Sequence, residues 1–227
     1  MKTSIAFLFL IIAVIAVSAL FRSGEKPATQ PVEGLPWQIE ILPNGETRVF
    51  GLIPARSTLH DARVRFGTDM EIAVIAAPGE SGSLEAYSSS VTTGVIMGKM
   101  ILVAAVDMET VARLRQRAVK AEYMDGTTRK YILHPDDLAL AWRMPIASIT
   151  FIPVASLDEA TVLRRFGVPG ERIRVDERVE HFLYPEKGLD LALDNKGKEV
   201  LQYVAPRQFA RLREPLINVA PVTTRSP

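Results

Sequence analysis

The 227-residue sequence predicts an α+β protein in which a unit of one helix followed by an antiparallel sheet occurs twice, behind one N-terminal transmembrane or signal helix. Two observations support this prediction. The segment IPARSTLHDARVRFG (residues 53–67) is matched in pattern by IPVASLDEATVLRRFG (residues 152–167). After each segment, helical spacing gives way to short runs of alternating apolar and polar residues, which are typical of strands.

Residues 1–22 are predicted to form a signal anchor or a signal peptide. Lys2 precedes an uncharged run from Thr3 to Phe21, and at about 1.5 Å per residue this run reaches roughly the 30 Å of a bilayer core. The length favours an uncleaved anchor, whereas the small residues of Val17–Ala19 leave a cleaved signal peptide open. Both alternatives export the chain after Arg22.

A polar tether and a hairpin are expected next. Residues 23–36 are rich in Pro, Gly and polar side chains without a period, as in linkers. Trp37, Ile39 and Ile41 then alternate with polar neighbours, and the sequence PNGE at Pro43–Glu46 is a strong turn signal. The folded part is therefore predicted to begin with a β-hairpin.

The two matched segments predict two capped helices. Thr58 and Asp61 have capping-box spacing in the first helix, and Ser156 and Glu159 have it in the second. A glycine suited to the left-handed position ends each helix, and the second helix is predicted to be two residues longer. The residues expected to face the core are Leu59, Ala62 and Phe66 in the first helix and Ala160, Leu163 and Phe166 in the second.

The remaining elements divide the chain into predicted domains. Between the two units we expect a helix starting at Asp107, a hairpin around MDGT and a helix initiated by Pro135. In the second unit, Leu189, Leu191 and Leu193 alternate with polar neighbours, so one face of this strand should be buried and the other wet. The predicted boundaries are 1–22 for the anchor or signal, 23–36 for the linker, 37–134 and 135–214 for the two α+β repeats, and 215–227 for the tail.

The second unit resembles the BamE (SmpA/OmlA) family of small envelope proteins. That family has a capped helix, a Gly-x-Pro, a strand ending in an aromatic residue, an alternating strand, a turn and a last strand. The matching segments here are Gly167–Pro169, Phe182–Tyr184, Leu189–Leu193, Asp194–Lys198 and Val200–Val204. The related β-lactamase-inhibitor-protein fold has two such units in tandem, and the resemblance implies this arrangement for residues 37–205.

The resemblance implies a non-catalytic envelope protein that binds another protein in or at the membrane, as a structural or assembly factor without a cofactor. Members of the family are lipoproteins held through an N-terminal Cys, and this chain contains no cysteine. An uncleaved anchor would therefore make it a single-pass protein of the bacterial inner membrane, with the folded domain in the periplasm. A cleaved signal would leave it periplasmic or secreted.

Composition and motifs exclude several other classes of function. A formal net charge of +1 argues against a nucleic-acid partner, because phosphate binding needs a sustained basic excess. Without cysteine there is no thiol catalysis or cysteine-ligated metal. None of His60, His134 and His181 has a second ligand at metal spacing, so no metal site and no catalytic residue are predicted.

Two alternative functions stay open from the sequence. The first is a periplasmic sensor or carrier that binds a small ligand or cell-wall fragment, which requires an apolar pocket with a few converging polar groups. The second is an exported hydrolase, which requires titratable groups from both units meeting in one cleft. For the favoured protein-binding function, we predict contact through the face of strand 179–184 that carries Glu180, Phe182 and Tyr184.

Overall fold

The computed structural model describes residues 32–124 and 126–218. Within these residues the α+β prediction is confirmed, because a ten-stranded antiparallel sheet, a two-stranded hairpin and five α-helices are present. The predicted N-terminal helix and the tail beyond residue 218 lie outside the described residues. No helix in the described ranges is long and apolar enough to cross a membrane.

The helices and strands alternate in short groups along the chain. The helices are α1 (Leu59–Phe66), α2 (Met108–Gln116), α3 (Pro135–Trp142), α4 (Glu159–Phe166) and α5 (Ala210–Ile217). The first strands are β1 (Glu40–Ile41), β2 (Thr47–Arg48), β3 (Glu71–Ala76), β4 (Ser83–Thr93), β5 (Ile96–Ala104), β6 (Lys120–Tyr123) and β7 (Arg129–Ile132). The last are β8 (Ile146–Pro153), β9 (Glu171–Arg174), β10 (Val179–Tyr184), β11 (Leu189–Asp194) and β12 (Val200–Val204).

Strand β8 joins two meanders into one sheet. The strand order is β6-β7-β3-β4-β5-β8-β12-β11-β10-β9, and every neighbouring pair is antiparallel. Thr150 in β8 lies opposite Ile101 of β5 on one side and opposite Gln202 of β12 on the other. The strands that follow α1 and those that follow α4 therefore share a continuous hydrogen-bonded sheet.

The main core lies between one face of the sheet and helices α1 to α4. Its centre is aromatic: the Phe50 ring lies 5.3 Å from the rings of both Phe151 and Tyr203. Helix α5 packs on the opposite face, where Phe209 contacts Leu183 and Val204. Tyr203 and Val204 are neighbours in β12 and point to opposite faces of the sheet, one to the main core and the other to α5. The sheet therefore carries helices on both sides.

The first predicted capping box is confirmed. The Thr58 hydroxyl accepts a hydrogen bond from the Asp61 amide at 3.2 Å, and the Asp61 carboxylate accepts one from the Thr58 amide at 2.8 Å. The hairpin at Pro43–Glu46, the helix capped by Asp107 and the helix initiated by Pro135 are also present as predicted. Each of these sequence signals acts over a few residues, and in the three helices the cap side chain accepts a hydrogen bond from a backbone amide of the first turn.

The second predicted capping box is wrong. The N-cap of α4 is Asp158, whose carboxylate accepts a hydrogen bond from the Thr161 amide at 2.7 Å. The helix therefore begins two residues later than predicted, and α1 and α4 both contain eight residues. Of the residues predicted to face the core, Phe166 is buried and Leu163 packs against the core, but Ala160 is exposed and Val162 is buried instead.

Both helices end at a glycine with positive φ, but not in the predicted left-handed helical conformation. Gly67 has φ 116° and ψ 160°, and Gly167 has φ 85° and ψ −170°. This extended region with positive φ is open essentially to glycine alone. It turns the chain from the helix directly towards the next strand.

Packing also extends into the predicted linker and tail. Pro36, the last residue of the predicted linker, is buried and its carbonyl accepts a hydrogen bond from Tyr203. Leu216, inside the predicted tail, packs against the α5 cluster. The boundary at residue 134 stays a prediction. Strand β8 of the second predicted unit pairs directly with β5 of the first, so the two predicted units share one sheet.

Candidate functional site

The face of the sheet that carries α5 is only half covered. The pairing register places Leu183, Asp190, Gln202, Thr150, Ile101, Tyr87 and Glu71 opposite one another in a single row across seven strands. Residues paired in this way share one face of a sheet. Leu183, under α5, therefore points to the same side as Ile101 and Tyr87, over which the structure has no described helix.

The uncovered half forms an apolar trough of about 410 Å³ across β7, β3, β4, β5 and β8. This volume lies in the range of small-molecule and peptide-anchoring sites. We call it the open-face trough, and its lining residues are Glu71, Ala73, Ile75, Glu85, Tyr87, Lys99, Ile101, Met124, Lys130 and Ile152.

Glu85 lies in the floor of the open-face trough. Burial raises the pKa of its carboxyl group, and the hydrogen bond that the Ser83 hydroxyl donates at 2.5 Å partly opposes this shift. Its carboxylate forms no ion pair among the described residues. The Glu85 carboxylate is therefore available to accept a hydrogen bond from a polar group of a molecule bound in the trough.

Charged and aromatic side chains form the rim of the trough. Lys130 pairs with Glu71 at one side, whereas Lys99 has no carboxylate partner within the described ranges. Tyr87 is 37% exposed and Met124 is 47% exposed, so the rim offers large adaptable side chains to a partner. The trough thus combines an apolar floor with an anion at one position and an unpaired cation at another.

The predicted binding residues lie on the face of the sheet that packs against helices α1 to α4. Phe182 and Tyr184 are 1% and 0% exposed, and the Tyr184 hydroxyl donates a hydrogen bond to the carbonyl oxygen of Gly167 at 3.0 Å. Glu180 accepts hydrogen bonds from Arg172 and Arg174 at 3.0 and 2.6 Å. A binding role for the three stays a prediction, and Glu180 is the one of them that is partly exposed.

Glu180 and Phe182 line a second, charged groove of about 360 Å³ beside the start of α4. Arg172 lies over the Phe182 ring at 4.3 Å and also contacts Glu159 at 2.8 Å. Arg178 holds Asp194 at 2.8 Å on the far side of this groove. Four carboxylates and two guanidinium groups line this groove, and three of the carboxylates, Glu159, Glu180 and Asp194, are paired with arginines.

His181 and Asp190 form a buried pair on the face that was predicted to be wet. The Nδ1 atom of His181 lies 2.8 and 2.9 Å from the two carboxylate oxygens of Asp190, which is 2% exposed. Asp190 was predicted to face solvent, and this prediction is wrong: the residue is buried and pairs with His181 of the neighbouring strand. No hydroxyl group in the described ranges bonds to this imidazole, and both residues come from the second predicted unit.

The other two histidines lie apart from this pair. His134 caps α3, where its Nδ1 accepts a hydrogen bond from the Asp136 amide at 3.3 Å, and His60 is exposed on α1. Groups of three or more His, Asp or Glu side chains able to hold a metal ion are absent from the described residues.

The open-face trough was not predicted from the sequence, although β3 carries a signal for it. Ile72 and Val74 face the core, and Ala73 and Ile75, on the other face, are also apolar. A strand that is apolar on both faces is typical of a strand covered on both sides. Its sequence therefore indicates a second layer that the described chain does not supply.

A scan against models of protein families and searches of curated proteins and of solved structures find no match to this chain.

Proposed function

We propose that the chain is a non-catalytic, membrane-anchored envelope protein that binds another protein through the open-face trough, as a structural or assembly factor. The observation that carries this proposal is the unequal cover of one sheet face, with α5 over one half and an apolar trough over the other. Residues 1–22 are the proposed anchor, which gives a bacterial inner-membrane protein with its folded part in the periplasm.

The fold supports the resemblance on which this proposal partly rests. Each of the helices α1 and α4 is followed by an antiparallel meander, and both meanders join one sheet through β8. We propose that these are two tandem units of the BamE-like and β-lactamase-inhibitor-protein-like kind. A trough that is open to solvent suits the recognition mode in which an amphipathic helix lies in an apolar groove.

An amphipathic helix is the partner element that fits the trough best. Helix α5 shows the mode of contact, because Phe209, Leu212 and Leu216 pack on the sheet while Arg213 pairs with Glu171 at 2.6 Å. The trough spans four strand spacings, or roughly 19 Å. A helix of about 13 residues covers that distance.

The charges of the trough define the partner helix further. A carboxylate on one flank of the helix would pair with Lys99, and a donor on the other flank would bond to Glu85. The two positions are on neighbouring strands and roughly 13 Å apart along the strand direction, by the rise of four residues from Lys99 to Val103, which lies opposite Glu85. A helix that crosses the strands is about 10–12 Å wide with its side chains, so the two groups would lie on its opposite flanks.

Site-specific cross-linking tests this proposal. A photoreactive phenylalanine analogue would replace Tyr87 in the full-length protein in its native membranes, with the same replacement at Val64 as the control. Val64 is 72% exposed on α1, on the other side of the sheet. We expect one protein adduct from position 87, joined at an amphipathic helix and lost in the Ile101→Glu variant, and no such adduct from position 64.

Other outcomes would count against the protein-binding function. Identical adducts from both positions would show non-specific contact, and no adduct at position 87 would remove the main support for the trough. An adduct of small-molecule mass would favour the alternative of a periplasmic ligand-binding protein, for which the volume of about 410 Å³ is suitable.

A further inference from the structure

A separate apolar cluster lies at the end of the sheet where β4 turns into β5. Val95, Met97 and Val154 are 72%, 53% and 65% exposed. The Val154 amide donates a hydrogen bond to the Met97 carbonyl at 2.8 Å, so these two residues are neighbours across β5 and β8. We call these three residues the tip patch. Exposed apolar side chains that cluster in this way mark a candidate interaction site.

Two lysines, Lys99 and Lys198, lie beside the tip patch. Lys99 follows Met97 by two residues and lies on the same face of β5, and the Lys198 ammonium donates a hydrogen bond to the Val154 carbonyl at 2.7 Å. Neither lysine forms an ion pair with a carboxylate of the described chain. The tip patch therefore combines exposed apolar groups with available positive charge.

The nearby carboxylates have other partners or are buried. Asp194 is held by Arg178 at 2.8 Å, and Glu199 is only 4% exposed. Of the exposed acids, Glu33 lines a groove together with Arg65, and Asp158 caps α4. Lys99 and Lys198 therefore keep their charge available beside the apolar tip patch.

The packed unit also begins at this end of the sheet. A Cβ atom placed on Gly34 would lie 3.6 Å from the amide nitrogen of Gly94 in the β4–β5 turn. The described chain starts at Val32, two residues before Gly34, so the chain enters the packed unit at the end of the sheet that carries the tip patch.

We propose that the tip patch is a membrane-contact site that takes anionic phospholipid. Val95, Met97 and Val154 enter the interfacial layer of the bilayer, and Lys99 and Lys198 contact lipid headgroups. This inference rests on the membrane attachment in the proposed function. It places the open-face trough, which shares Lys99 with this surface, beside the bilayer, within reach of a helix that emerges from it.

Fluorescence quenching on the full-length chain tests the contact. The sequence has no cysteine, so Val95→Cys and Val168→Cys each give one labelling site for an environment-sensitive fluorophore. Val168 is 86% exposed and precedes β9 at the opposite end of the sheet, which makes it the matched control. The purified variants would be reconstituted into vesicles of phosphatidylcholine with or without phosphatidylglycerol, and attachment would be confirmed by flotation.

We expect the label at position 95 to be quenched by nitroxide lipids and to be several-fold less accessible to aqueous iodide than the label at position 168. The difference should be larger with phosphatidylglycerol, and it should shrink in high salt or with Lys198→Glu, because the headgroup attraction is electrostatic. Equal aqueous accessibility at both positions in floating protein would overturn the membrane contact and leave the anchor intact. Protein that does not float would overturn both.

Discussion

The Tyr203 hydroxyl donates a hydrogen bond to the Pro36 carbonyl at 2.9 Å and joins two residues that are 167 positions apart in the chain. Tyr203 is 1% exposed in β12, and Pro36 is buried at the start of the packed unit. This hydrogen bond links the segment before β1 to β12, the strand that comes last in the sequence.

Tyr203→Phe is expected to destabilise the fold by about 1–3 kcal/mol, because the buried Pro36 carbonyl would lose its donor without gaining water. Urea unfolding of the full-length protein in mild detergent measures the effect. Tyr87→Phe is the control, since Tyr87 is 37% exposed, and a change within about 0.5 kcal/mol is expected there. Equal losses in the two variants would contradict the structural role of the Tyr203 bond.

Alkaline pH should weaken the fold through two buried tyrosines. Burial raises the pKa of Tyr184 from 10.0 to about 12, with Glu186 adding to the shift, and burial raises the pKa of Tyr203 well above its usual value. Unfolded tyrosine loses its proton near pH 10 while the folded phenol keeps it. The stabilisation is therefore complete below about pH 10 and falls by about 1.4 kcal/mol per pH unit per tyrosine above it.

Urea unfolding at about pH 9 and about pH 11 checks this prediction. Tyr184→Phe should have a smaller loss of stability between the two pH values than the wild type, because one of the two phenols is gone. An unchanged loss in this variant would show that Tyr184 does not carry the dependence.

Two neighbouring residues distinguish the observed cap of α4 from the predicted one. Asp158→Ala should lower Tm by about 2–4 °C, because the Thr161 amide would lose its acceptor. Ser156→Ala should leave Tm nearly unchanged, since Ser156 is exposed and precedes the cap. Thermal unfolding followed by circular dichroism measures both, and the reverse order of effects would restore the cap predicted from sequence.

Glu85 should make the fold less stable as pH rises. Burial raises its pKa above the ordinary value of 4.5, so the unfolded state loses its proton first, and the contribution that is complete below pH 4.5 is lost as pH passes through the folded pKa. Glu85→Gln should therefore be more stable than the wild type at neutral pH. Ser83→Ala should steepen the pH dependence, because it removes the hydrogen bond that lowers this pKa.

Urea midpoints of the wild type and both variants, taken from acid to neutral pH, test the Glu85 prediction. A Glu85→Gln variant that is less stable than the wild type at neutral pH would mean that the ionised carboxylate has a partner beyond Ser83.

The elements predicted correctly from sequence are those fixed by neighbouring residues. The Thr58–Asp61 box, the Pro43–Glu46 turn and the start of α3 at Pro135 each form within four residues. The cap of α4 was misplaced because Ser156 and Asp158 are both suitable cap residues within the same short stretch, and the structure uses Asp158. Local pattern carries little information about that choice.

The candidate site depends on relationships that sequence spacing does not contain. The trough exists because α5 covers β9 and β10 and does not cover β3 and β4, and α5 begins more than a hundred residues after β4. The burial of Phe182 and Tyr184 likewise depends on α4 and on Trp37, whose ring packs against Phe166 at 6.2 Å. Alternation in β10 identified the two faces correctly but could not show which elements lie over each face.

The position of β8 in the sheet sets an order on folding. Its one edge is paired by β5, which precedes it, but its other edge waits for β12, the last strand to emerge from a ribosome or a translocation channel. Until residue 204 arrives, the edge of β8 that pairs with β12, in the interior of the sheet, has no partner strand. An unpaired central strand is a template for association between chains, so copies that are still being synthesised are expected to associate through β8 at high local concentration unless a chaperone covers it until the chain is complete.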